Sequence, residues 1–220
     1  MFDRPAWARV APFAAYLAFI AVADLLARLG ASPAQLRWLY PVKIAVVLAL
    51  LLAYRRHYEE LRLARLSGRA AATAVVAGIG VLLLWINLNA DWMTVGASAG
   101  FDPLRNGELD WRLAAVRVAG AALVVPVMEE LFWRSYLMRW LASPRFQQVS
   151  PARLGWKPFV VTVVLFGFEH NLWLAGIVAG AVYSLLYMRS CNLWSPVLAH
   201  GVTNGLLGAW IISTGHWTYW

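Results

Sequence analysis

Glu129 and Glu130 stand side by side at the end of an apolar run, Ala121-Ala122-Leu123-Val124-Val125-Pro126-Val127-Met128, and Arg134 follows shortly after. An ionised carboxylate at the centre of a bilayer costs about 2.5 to 3.5 kcal/mol on insertion scales, so a pair kept within such a run points to a chemical use. His170, His200 and Asn204 interrupt later apolar runs in the same way. Glu130 and Arg134 share one helical face and are spaced for an ion pair. Glu129 is turned about 100° from Glu130 and shares that arginine less easily. The expected division of labour has Arg134 holding Glu130 while Glu129 faces a chamber. The plainer alternative is a charge cluster at a helix end. His200 and Asn204 have the same i, i+4 spacing, which suits two donors converging on one oxygen; interhelical hydrogen bonding is the alternative for that pair. His170 alone reads equally as a satisfied core histidine.

The elements that must position these groups follow from composition. Of the 220 residues, 61% are hydrophobic, and the mean hydropathy is +0.61. A soluble domain uses about 45–50% apolar residues. Lipid tolerates only helices and closed barrels, and Val46-Val47-Leu48-Ala49-Leu50-Leu51-Leu52 lacks the alternation of a barrel strand. The chain reads as all-α, a single polytopic integral membrane domain over 1–220. Its helical bundle is expected to have about seven spans, eight at most, at roughly 20 residues each. The spans are drawn at 11–29, 38–54, 70–88, 111–138, 158–171, 172–188 and 192–213. Residues 1–110 form accessory amino-terminal spans and 111–212 the core that carries the chemistry. Arg4 and Arg9 before an apolar stretch resemble a signal peptide, but the stretch continues through Ala21-Val22-Ala23-Asp24-Leu25-Leu26, which favours an uncleaved first span.

The net charge of +8 is spread between apolar segments, where it acts as a topology signal beside anionic lipid rather than as a nucleic-acid surface. The 55–69 segment carries Arg55, Arg56, Arg62, Arg65 and Arg69, and the 139–157 segment carries Arg139, Arg145, Arg153 and Lys157. The 89–110 segment has Asp91, Asp102, Glu108 and Asp110 against Arg105. Both basic loops should therefore be cytoplasmic, with the amino terminus inside and the carboxyl terminus outside. Tryptophans at 38, 111, 140, 156, 217 and 220 fall at span ends, as interfacial anchors do. In this topology Glu129, His170 and His200 all lie roughly 14 to 20 Å from the cytoplasmic face, at 1.5 Å per helical residue. Three polar groups from separate segments at one depth predict a single buried chamber, nearer the cytoplasm than the outside.

Other intramembrane charges read as structural. Asp24 and Arg28 form an i, i+4 pair, and Lys43 and Arg117 are placed to snorkel. Pro126 removes a backbone donor and bends its helix beside the carboxylates. Gly176 and Gly180 suit close helix packing. Cys191 is the single cysteine, so an internal disulfide and a multi-cysteine metal site are excluded. No HExxH is present. Zinc on His170, His200 and Glu129 is compatible in ligand type, yet spacing gives it no support, and no cofactor is expected.

Glu129-Glu130-x-x-x-Arg134, Phe166-x-x-x-His170 and His200-x-x-x-Asn204, in that order, resemble the CPBP family of CAAX-processing and bacteriocin-processing intramembrane proteases, also called the ABI family. The resemblance covers roughly 111–212 and includes Leu193-Trp194-Ser195-Pro196-Val197-Leu198-Ala199-His200. Tyr40-Pro41-Val42-Lys43 and Tyr54-Arg55-Arg56 look like a subgroup associated with bacterial exosortase systems. The resemblance implies endoproteolysis of a membrane-associated protein or peptide, without zinc. Glu129 would activate water, assisted by His170. His200 and Asn204 would stabilise the oxyanion, with Glu130 and Arg134 in support. Partners so implied are the substrate, the lipid bilayer and exosortase-system proteins. Two other readings stay open: a non-hydrolytic binding or scaffold protein of the same family, and a small proton-coupled transporter, which the lack of inverted repeats disfavours.

Overall fold

The structure, a computed structural model, describes residues 4–62, 65–96 and 100–220. Seven long helices organise the described residues: α1 (Arg4–Arg28), α2 (Leu39–Tyr54), α3 (Gly68–Trp85), α4 (Trp111–Trp140), α5 (Trp156–Phe168), α6 (Trp173–Ser190) and α7 (Trp194–Thr214). Helix α1 begins seven residues before its hydropathy boundary at 11, and each of the others begins within two residues of its own. The protein is an all-α membrane bundle and crosses the bilayer more than once. By length and composition, α1, α2 with its flanking turns, α3 and α4 are long and apolar enough to span. The 13 residues of α5 are apolar but short. Helices α6 and α7 have the length, at 18 and 21 residues. Their interior faces carry Tyr183, Ser184, His200 and Thr203, all buried, and these dilute the hydropathy.

Local chemistry sets the ends. Ser67 accepts a hydrogen bond from the Ala70 amide and starts α3, while Asp110 accepts from the Arg112 and Leu113 amides and starts α4. Helix α7 stops at Gly215 in the left-handed conformation (φ 75°). Between α3 and α4, strands β1 (Leu104–Arg105) and β2 (Glu108–Leu109) form a small antiparallel hairpin. Its turn is Asn106-Gly107 with φ of 55° and 84°, the geometry that this dipeptide favours.

Packing is closest between α7 and α3, between α6 and α5, and between α1 and α2. A Cβ added to Gly176 would lie 3.0 Å from the Gly167 backbone, so the small-residue spacing lets α5 and α6 touch. Arg9 is not a signal-peptide charge in this fold. It is 1% exposed and forms an ion pair with Glu60 at 2.7 Å. Ser135 on α4 bonds both partners. The amino-terminal helix is thereby tied to the loop after α2 and to the far half of α4.

Two of the intramembrane cations also depart from the expected snorkelling. Lys43 Nζ sits 3.9 Å from the centroid of Tyr16, and Arg117 Cζ lies 4.3 Å from that of Tyr40. Both cations turn inward because aromatic faces from α1 and α2 are available to hold them. The Asp24–Arg28 pair forms as expected, at 2.8 Å on the surface. Of the tryptophans expected as anchors, Trp38, Trp111, Trp140 and Trp156 are exposed at helix ends. Trp220 instead packs inward beside Phe101, with ring centroids 5.9 Å apart.

Candidate active site

Helix α4 is continuous but not regular. It widens into π-helical turns at Gly120–Val124 and Leu131–Leu137, on either side of the two glutamates. In the first turn the Val125 amide bonds the Gly120 carbonyl. In that register the Ala121 carbonyl would look to Pro126, which has no N–H to give. Asn204 on α7 supplies the missing donor, its Nδ2 lying 2.9 Å from Ala121 O. Gly201, one turn earlier on α7, leaves room for the neighbouring carbonyl: an added Cβ would sit 2.8 Å from Ala122 O. The proline's missing N–H thus leaves an acceptor on α4 against which α7 docks.

Beyond that contact lies a buried ionic chain. Arg134 Nη1 donates to Glu130 Oε1 at 3.0 Å, and Arg134 Nη2 donates to Gly180 O at 3.3 Å. Both side chains are 0% exposed. The guanidinium also lies 4.3 Å from the centroid of Phe166. His200 Nδ1 is 3.1 Å from the same Glu130 oxygen, and a carboxylate held by arginine can only accept, so Nδ1 carries a proton. The other ring nitrogen, Nε2, is 4.0 Å from Glu129 Oε2. Tyr183 stacks on the His200 ring at 4.9 Å and 20°, and its hydroxyl donates to Thr203 at 2.8 Å. The imidazole is fixed on one edge by charge and on one face by an aromatic ring.

Glu129, His170, His200 and Asn204 line one cavity of about 300 Å³, which Glu130 and Arg134 do not reach. Spacing set Glu129 apart from the Glu130–Arg134 pair, and the side chains are placed that way. His170 does not ride on α5. The helix ends at Phe168, and His170 sits in the turn beyond it. The turn is held because Val95 and Asn171 bond each other twice: the Val95 amide to Asn171 O at 2.8 Å, and Asn171 Nδ2 to Val95 O at 2.9 Å. His170 Nδ1 lies 2.8 Å from the Phe166 carbonyl, which leaves Nε2 as the ring's acceptor.

Sequence reasoning passed over three residues that share this space and read a fourth, Arg117, as snorkelling. Glu169 lines the cavity and accepts from Trp133 Nε1 at 3.0 Å, adding a third carboxylate. Its only signal was adjacency to His170. Tyr183, Thr203 and Arg117 line the same walls. A tyrosine and a threonine inside apolar helices, and an arginine near the start of one, carry no distinctive spacing. Among the described residues no group of three or more His, Cys, Asp or Glu is placed to hold a metal ion. Glu130 is committed to Arg134, and His200 Nδ1 to Glu130.

Oxygens of Glu129 and Glu130 are buried without a hydrogen-bond partner. A carboxylate so placed, facing a polar cavity beside two imidazoles and an amide, can exchange protons with a small molecule admitted there.

Comparison with known proteins bears on the same stretch. No curated protein and no solved structure matched the chain. Residues 111–206 match the Rce1-like family, described as type II CAAX prenyl endopeptidase Rce1-like, which is a protease family. That match spans α4 to most of α7 and takes in all six polar residues singled out by their spacing. Over this segment, the chain is similar to CPBP-family proteins of the Rce1-like, CAAX-protease type.

Proposed function

We propose that the protein is a glutamate-dependent intramembrane endopeptidase acting on a membrane-associated protein or peptide. One observation carries the reading. Glu129, His170, His200 and Asn204, from three separate parts of the chain, line a single cavity, while the Glu130–Arg134 pair stands behind it.

Glu129 takes a proton from a water molecule as the water oxygen attacks the peptide carbonyl carbon. His170, with Nε2 free to accept, assists in orienting that water. The 4.0 Å between His200 Nε2 and Glu129 Oε2 is too long for a direct hydrogen bond and fits one bridging water. The carbonyl oxygen becomes the oxyanion of a tetrahedral intermediate. Asn204 keeps one amide N–H beyond its bond to Ala121 and turns it to that oxyanion. His200 donates from Nε2 in its doubly protonated form. Collapse breaks the C–N bond, and Glu129 returns the proton to the leaving nitrogen. The products are a carboxylate and an amine, and no metal or other cofactor takes part. Arg134 anchors Glu130, which anchors His200. The basic 55–69 and 139–157 loops support an amino terminus in the cytoplasm of a bacterium, with the chain in the inner membrane. An exported or exosortase-system protein is the substrate class that the amino-terminal motifs favour.

The test compares protein termini by mass spectrometry in membranes from cells carrying wild type or Glu129→Gln at equal expression. New membrane-protein termini present only with wild type support proteolysis and name substrates. Identical termini in both, with the protein folded and its partners present, would overturn it in favour of a binding or scaffold role.

A further inference from the structure

The same cavity is electrically polarised. Its carboxylates, Glu129 and Glu169, lie on the wall shared with His170 and His200. Toward the start of α4 the wall carries Arg117, whose Cζ lies 4.3, 5.6 and 5.9 Å from the ring centroids of Tyr40, Phe101 and Trp220. Lys43 stands over Tyr16, another wall residue, and within 5.1 Å of the Tyr40 ring centroid. Aromatic faces hold a guanidinium in place, and the Tyr40 hydroxyl is close enough to accept from Arg117, but neither supplies a negative charge. Arg117 Nε is buried with no hydrogen-bond partner, and no carboxylate lies within 4.0 Å of the side chain among the described residues. A cation kept inside a bilayer without a counter-ion is costly unless something anionic comes to it. A planar fork of donors held by aromatic rings is suited to a carboxylate.

We infer that Arg117 is a specificity-determining residue that docks a carboxylate of the peptide substrate at the end of the cavity nearer the start of α4. The inference rests on the protease reading above. Arg117 precedes Glu129 by 12 residues on one helix, about 18 Å at 1.5 Å per residue. An extended peptide advances about 3.3 Å per residue, so the carboxylate sits roughly five residues from the bond that Glu129 attacks. Either the chain's terminal carboxylate or an Asp or Glu side chain supplies that group.

The experiment uses the full chain purified in detergent, as wild type, R117Q, R117K and E129Q. The probes are synthetic apolar peptides in three forms: free carboxyl terminus, amidated carboxyl terminus, and internal acidic residues replaced by their amides. Cleavage sites and rates are read by mass spectrometry. Wild type is expected to cut roughly five residues from a carboxylate, with E129Q inactive. R117Q raises KM by roughly ten- to a hundredfold, the worth of a charge-assisted hydrogen bond, and moves kcat far less. R117K, keeping the charge without the fork, falls between the two, which a folding defect would not produce. Loss of cleavage on amidation assigns the terminal carboxylate, and loss on side-chain replacement assigns an acidic residue. Cleavage by wild type with no carboxylate preference, or unchanged KM in R117Q, overturns the inference and leaves proteolysis standing. No cleavage of any peptide by wild type overturns both.

Discussion

Arg134, His200 and Asn204 differ in what their loss should do. Replacing Arg134 by Met strands the Glu130 carboxylate, which is 0% exposed and loses its cation. Breaking such a buried pair from one side costs about 3–5 kcal/mol, so the melting temperature in detergent should fall with activity. Asn204→Ala should act on both quantities for separate reasons. It removes a candidate oxyanion donor, worth about 10²–10³ in rate, and it leaves the Ala121 carbonyl unpaired, worth about 1–3 kcal/mol of stability. His200→Ala should lower the rate comparably, and its thermal shift reads how far the Tyr183 stack and Glu130 depend on it. Kinetics and thermal unfolding of the three variants together check this separation; equal melting temperatures for all three would contradict it. The polar residues with i, i+4 spacing were legible in the sequence, because a charge or amide in an apolar run is conspicuous and the helical period says which face it takes. Glu169 was not, since its neighbour claimed the notice. Arg117 was misread as snorkelling, because its aromatic cage is assembled from distant segments, at Tyr40, Phe101 and Trp220.

Seven apolar stretches gave seven helices with ends shifted by a few residues at most positions, because hydropathy and the bilayer's thickness fix length well. The wide turns of α4 were beyond that reading. Pro126 announced a bend, but only the partner helix determines whether a bent helix kinks or widens. Here α7 offers an amide at Asn204 and bare backbone at Gly201, and α4 widens against them. Gly201→Ala should therefore disturb the contact, since its Cβ would press to 2.8 Å of the Ala122 carbonyl. Overpacking of this kind costs about 1–3 kcal/mol. Gly215→Ala, at the end of α7 with nothing within 4 Å of its added Cβ, meets only its left-handed backbone (φ 75°). The expected outcome is lost activity with a lowered melting temperature for Gly201→Ala, and a thermal effect without loss of specific activity for Gly215→Ala. Detergent-based unfolding and cleavage assays on the pair decide it.

For the whole molecule, the proposed inside face rests on charge asymmetry, and the chain carries its own probe of that proposal. Cys191 is exposed and is the single cysteine. It follows α6 at the same end of the bundle as the 55–69 loop, where Asn192 donates to Arg65 O at 3.3 Å. A membrane-impermeant thiol reagent should label Cys191 in inside-out vesicles and spare it in intact spheroplasts. Asn106→Cys in a Cys191→Ser background, at the exposed hairpin turn, should show the reverse pattern. Labelling of both from one face would refute the topology. The amino-terminal half, outside the family match, still belongs to the working unit. Tyr16, Ile20 and Trp85 form cavity wall, and Arg9 joins α1 to α4 through Glu60 and Ser135. The strap between Val95 and Asn171 reaches further than its two hydrogen bonds suggest. It joins Val95, in the segment between α3 and α4, to the turn that bears His170, so the histidine's position is set partly from outside the long helices. A binder gripping that segment, whether antibody or small soluble protein, would have a handle on the interior without having to enter it.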